Sequence, residues 1–145
     1  MKANFTNVEK KNFDPIPAGT YVAVVTDGEQ TETKNAGKLP QGTPGVHWEF
    51  TIKGGQYDGR KVWTNTWIAE TTMFSLLGLL EATGEYSEEQ LSGELDFEIE
   101  DVIGSELKLK VSVRAATQEY DATNDVKRFY PLSDADQVAA ASELP

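Results

Sequence analysis

Two stretches of this chain alternate apolar and polar residues without a break, and between them lies a stretch whose apolar residues recur every three or four positions. In the first, Val46, Trp48, Phe50 and Ile52 alternate with His47, Glu49, Thr51 and Lys53; in the second, Leu107, Leu109, Val111 and Val113 alternate with Lys108, Lys110, Ser112 and Arg114. A period of two puts one set of side chains on each face of a β-strand, so both stretches predict half-buried strands of an antiparallel sheet. Between them Met73, Leu76, Leu77 and Leu80 predict an amphipathic helix over 69–83 that stops near Gly84. A chain of 145 residues is long enough to bury one core without metals or disulfides.

The remaining segments complete a simple order. Asp14 to Gly19 holds Pro15 and Pro17, which fix φ and deny a helix, and Gly19 to Thr26 reads as a first strand with Val22 and Val24 on one face. Thr31 to Gly45, rich in Gly and Pro, reads as a long exposed loop. Gly54-Gly55 and Asp58-Gly59 mark a hairpin into a third strand, Arg60 to Ile68. Its pattern is ambiguous, because Val62, Thr64, Thr66 and Ile68 share one face while Lys61, Trp63, Asn65 and Trp67 share the other. Ser87 to Leu91 suggests a short acidic helical turn, Leu95 to Ile103 reads as either strand or loop, and Asp125 to Pro131 forms a last strand. Three strands, a helix and two more strands is the layout of an OB-fold, a partly open five-stranded barrel, with a small α+β sandwich as the rival. The expected organisation is an N-terminal tail over 1–14 docking Phe5, Val8 and Phe13, a domain over 15–131, and a flexible acidic C-terminal tail over 132–145. No internal repeat is present.

Charge is segregated along the chain. From Val62 to Leu107 there is no Lys or Arg, and that stretch holds eleven of the 24 acids, so the net charge of -11 is local. The 13 basic residues lie outside it, mostly in segments read as strands. A phosphate backbone needs such cations, and the segregation leaves room for one despite the overall negative charge.

Several chemistries lack their parts. With no cysteine there is no disulfide, thiolate zinc site or Cys nucleophile, a composition that fits a reducing cytoplasm. His47 is the one histidine, so neither a triad nor a transition-metal set can be completed. Asn35-Ala36-Gly37-Lys38 lacks the upstream glycine and the Ser or Thr of a phosphate-cradling loop, and no Asp-x-Asp-x-Asp-Gly calcium loop occurs. The apolar run Met73 to Leu80 is interrupted by Ser75 and Gly78, which argues against a membrane span or secretion signal. No catalytic residue, cofactor or metal ligand is therefore expected, although paired carboxylates, with or without magnesium, meet only in a fold.

Four segments occur in a recognisable order: Phe13 with Pro15 to Tyr21, Gly54 to Val62, Ile103 to Val111, and Asn124 to Phe129. Together, over roughly Phe13 to Pro131, they resemble a family of small phage-encoded proteins from replication and recombination gene clusters. Members of that family with an assigned role resemble OB-fold single-stranded DNA-binding proteins. The resemblance implies a non-catalytic protein that coats single-stranded DNA in the cytoplasm of an infected bacterium during DNA replication or recombination, as a homo-oligomer or a monomer. The Thr31 to Gly45 loop and the acidic Glu81 to Glu106 stretch depart from the family.

Coating a strand without reading its sequence takes a basic groove and aromatic faces on which bases stack. In an OB-fold the face of the second and third β-strands, with neighbouring loops, forms that surface. The residues expected there are Lys53, Tyr57 and Arg60 from the hairpin, and Lys61, Trp63 and Trp67 from the third strand. Lys108, Lys110 and Arg114 join them from the fourth strand, and Lys127 and Arg128 from the fifth. Trp48 shares its face with Val46, Phe50 and Ile52 and is assigned to the core, whereas Trp63 and Trp67 fit either core or platform. Acids on the helix side would confine DNA to the basic face. Asp134, Asp136 and Glu143 in the C-terminal tail would recruit protein partners. The competing reading is an acidic adaptor or inhibitor that engages a basic host or phage enzyme.

Overall fold

One long β-strand organises the sheet. In the computed structural model, which describes residues 1–4, 15–118 and 121–132, β1 (Gly19–Glu32) serves two ladders. Its start, Gly19 to Val24, pairs with β4 (Glu106–Arg114), and its course from Ala23 to Glu32 pairs with β2 (Pro44–Ile52). β3 (Lys61–Trp67) adds to β2 and β5 (Thr123–Tyr130) adds to β4. All four ladders are antiparallel and give the order β3-β2-β1-β4-β5. The sheet curls enough that its two end strands, β3 and β5, bring Cα atoms within 8 Å of each other. The helices are few: α1 (Met73–Thr83), a 3-10 turn at Gln90–Ser92, and α2 (Ile99–Val102). The chain is thus mainly β, an open five-stranded antiparallel sheet.

β1 runs six residues beyond the end expected from sequence. A bulge between Val25 and Asp27 explains why the pattern hides it: Val25 faces Phe50 and Asp27 faces Glu49, so the alternation slips by one. Beyond the bulge the residues are polar, and pairing with β2 holds the arm. The loop shrinks to 33–43, tied at its neck where the Thr33 N–H donates to Thr43 O (3.0 Å) and the Gly42 N–H to Thr33 O (2.8 Å).

The inner face collects Trp48, Phe50, Leu107 and Leu109, none of which retains any exposure. A fully buried indole leaves one N–H to satisfy, and Trp48 Nε1–H donates to Thr66 Oγ1 at 2.8 Å. That bond settles the ambiguity of β3. Thr66 is 1% exposed because the tryptophan needs its hydroxyl, Val62 is buried on the same face, and the alternate residues Trp63 and Trp67 must turn outward.

α1 closes one end of the curl against β3, β4 and β5. It ends where Gly84 adopts φ 71°, a left-handed cap that glycine takes at no steric cost. Its buried face is rotated from the expected stripe: Leu76, Leu79, Leu80 and Ala82 are buried, while Met73 and Leu77 stay partly exposed beside a groove. Residues 69–72 form a turn, not the first turn of the helix. The 95–103 segment joins no ladder. It runs extended into α2, whose Val102 is fully buried.

The first described residues of the domain are pinned to β5. The Ile16 N–H donates to Asn124 Oδ1 (3.0 Å), and Asn124 Nδ2 donates back to Ile16 O (2.9 Å). The expected docking of Phe5, Val8 and Phe13, and the acidic tail with Asp134, Asp136 and Glu143, lie outside the described residues. No helix among the described residues is long and apolar enough to cross a membrane.

Candidate nucleic-acid interface

The outer face of the sheet gathers most of the residues singled out from sequence. Register places them in rungs. At the β3 side, Trp67 lies opposite Gly45, Asn65 opposite His47, Trp63 opposite Glu49, and Lys61 opposite Thr51. Further along, the Lys53 N–H donates to Val22 O, and Val22 pairs with Lys108, which faces Tyr130. The next rung carries Thr20, Lys110 and Arg128. Arg114 lies beyond, at the end of β4.

Two aromatic surfaces open on this face. Trp63 is 48% exposed. Trp67 is half-buried because it lies across the backbone of β2 at Gly45: a Cβ there would collide with Trp67 Cε3, so only glycine admits the ring. Tyr130, not anticipated from sequence, joins from β5 opposite Lys108. Its signal was present, since it stands two residues after Arg128 and therefore shares that face.

Tyr57 sits in the hairpin turn. It packs edge-on against Tyr21, centroids 6.1 Å apart at 86°, and both partly bury against the core. Burial, helped by the neighbouring Tyr57 phenol, pushes the Tyr21 phenol above its ordinary range. Arg60 stands with Tyr57 in the hairpin turn.

The cations divide into two groups. Lys53 pairs with Glu106, Lys61 lies 3.4 Å from Glu49, and Arg114 lies 3.2 Å from Asp125, whose carboxylate is also 3.9 Å from Lys127. Glu49 in addition accepts from Thr26 Oγ1 at 2.7 Å, and His47 Nδ1 shares a 2.6 Å hydrogen bond with Asn65 Oδ1. Lys110 and Arg128 behave differently. They are directly opposite one another on β4 and β5, both exposed, and neither forms an ion pair among the described residues. Like charges directly opposite on neighbouring strands destabilise a sheet. An anion laid over the rung would reverse that cost.

Lys127 occupies a second bulge, where Lys110 pairs with Arg128 but Val111 pairs with Val126. It therefore stands off the ladder and lines a cleft of about 300 Å³ between β5 and α1, together with Arg128, Tyr130 and Phe74. Phe74 was missed from sequence because it lies off the stripe of α1 that the apolar spacing marks. It is 73% exposed.

Most acids of the 62–107 stretch lie elsewhere. The 81–101 segment, on the helix side, is lined with exposed carboxylates, and the described residues bring no three His, Asp or Glu side chains together in a way that would hold a metal ion. Tyr86 donates its phenol hydrogen to Asp101 Oδ2 at 3.3 Å, and burial raises its pKa.

A search of curated proteins finds no match to this chain. A family model does match, over residues 3–141, a span that takes in all four segments of the sequence resemblance and nearly the whole length. The chain belongs to DUF669, a family of proteins of unknown function.

Proposed function

We propose that the curled sheet is an OB-type barrel and that the protein coats single-stranded DNA on its outer face with little sequence preference. The observation that carries the reading is the Lys110–Arg128 rung, two cations side by side with no ion pair among the described residues, with Lys108 and Tyr130 on the next rung and Trp63 farther across the same face. Backbone-tracking sites combine these two ingredients, cations for phosphates and ring faces for bases. The barrel assignment is supported by a long β1 shared between ladders, a helix between β3 and β4, and the approach of β3 to β5. From strand spacing and rise, the diagonal from Lys110 to Trp63 is roughly 25 Å, enough for about four or five nucleotides. The acidic helix side would repel DNA and leave it one face to occupy.

Titration of indole emission with a thymidine homopolymer at low and moderate salt tests this. Quenching that weakens steeply with salt is expected, and a flat titration at micromolar protein in dilute buffer overturns the reading.

One observation favours the second reading, an adaptor that binds a basic protein. A groove of about 480 Å³ between α1 and the 91–97 segment is lined by Ile68, Met73, Leu77, Leu91 and Phe97, with Glu94 at its rim, in the part of the chain that has no cation. Its charge suits a basic amphipathic segment of a partner, docked helix-in-groove. A synthetic Leu/Lys helix should bind and lose affinity on Leu77→Asp, while a Leu/Glu helix should not bind. Equal affinity for both peptides, or for the variant, removes this reading.

A further inference from the structure

We propose that the bound DNA does not end on the sheet face but turns around the edge of β5 into the cleft against α1, where one nucleotide rests its base on Phe74 and its phosphate on Lys127 and Arg128. The inference rests on the single-stranded DNA reading and extends it to a part of the surface where sequence had placed cations but no ring. Successive residues of a β-strand point to opposite faces, so Lys127 and Arg128 would ordinarily diverge. The bulge at Lys127 cancels that alternation, and both residues line the same cleft. Asp125, the carboxylate nearest Lys127 at 3.9 Å, lies closer to Arg114 at 3.2 Å, so it neutralises Lys127 only in part.

The opposite wall is built to receive a ring. Phe74 is the most exposed aromatic among the described residues, although α1 buries Leu76, Leu79 and Leu80 and does not need Phe74 for packing. One helical turn on, at the same face, Gly78 leaves the cleft floor bare: a Cβ there would reach Phe129 Cδ2 at 4.0 Å. Ser75 adds a hydroxyl and Tyr130 a second ring. A volume of about 300 Å³ is the size of one nucleotide, not of a longer ligand. Arg128 belongs to both surfaces, opposite Lys110 on the sheet and at the lip of the cleft, and this makes it the point where the DNA turns.

The test uses the full-length chain and a short thymidine oligomer carrying one 5-iodouracil, moved through each position in turn. Ultraviolet cross-linking and peptide mapping should place one position on Phe74 or Tyr130, and Phe74→Ala should weaken binding roughly 5- to 150-fold, the range of one lost stacked base. Because Phe74 is exposed, the melting temperature of this variant should match that of the wild type. Cross-links confined to Trp63 and Trp67, with full affinity in Phe74→Ala, overturn the cleft while leaving the sheet-face reading intact. No retention of any oligomer by the wild-type chain overturns both.

Discussion

The two ends of the outer face use their charges in different ways. On the β2–β3 side, Lys61 lies 3.4 Å from Glu49, Glu49 is held by Thr26, and His47 is held by Asn65, so these polar groups answer one another. On the β4–β5 side, Lys110 faces Arg128 and no carboxylate answers either among the described residues. The first arrangement is what folding alone rewards. The second costs stability, and such a cost is informative because a rung of two like charges gains nothing from the fold itself. A count of surface cations alone does not tell a paired lysine from an unanswered rung. Pairing separates a face whose charges are answered from a rung whose charges are not.

Reversing the rung should break the comparison most visibly. Lys110→Glu with Arg128→Glu removes two charge-assisted contacts and installs repulsion, so affinity for a thymidine homopolymer should fall by roughly 100-fold or more, with a shallower salt dependence, as anisotropy would read. Next in size is the pair of tryptophans on either face of the β2–β3 ladder. Trp48→Ala empties the core and strips Thr66 of its partner, with an expected loss of about 3–5 kcal/mol in chemical denaturation. Trp63→Ala, on the exposed side, should leave stability within about 0.5 kcal/mol and instead weaken DNA binding roughly 5- to 150-fold. If the two variants behaved alike, the division into inner and outer faces would carry no functional meaning.

The order of elements was legible because the alternating stretches at 46–53 and 106–114 and the helical spacing at 73–80 each carry their own period. The far half of β1 was not, because a bulge at Thr26 shifts its alternation and its inward residues, Gly28 and Gln30, are not apolar. Trp63 and Trp67 stayed ambiguous for a related reason: a face made of Val62, Thr64 and Thr66 looks too polar for a core until Thr66 is seen to satisfy the Trp48 indole. That partnership links residues 18 apart and leaves no local trace. The positive residues of the candidate surface could be named from sequence, but not their pairing. Which lysine meets a carboxylate depends on register between strands distant in the chain, as between Lys53 and Glu106. Phe74 shows the same limit, since a helix position off the apolar stripe draws attention only once β5 lies beside it.

The smallest effect is also the most discriminating one. Arg128→Glu alone replaces a repulsive rung with an attractive one, Lys110 now facing a carboxylate, and cross-strand charge pairs contribute about 0.2–1 kcal/mol, so the variant should melt about 1 to 4 °C higher than the wild type while binding DNA less well. Lys61→Ala makes the control at the other end. It removes one partner of an exposed ion pair, for which a change below about 1 kcal/mol in stability is expected. Affinity should barely move, because Glu49 already holds that cation's charge. A surface maintained only by folding would show no such opposition of stability and affinity at Arg128, and a variant that became both less stable and less able to bind would place the arginine among ordinary structural residues. Gain in one property against loss in the other is the mark of a residue kept for what it contacts outside the chain.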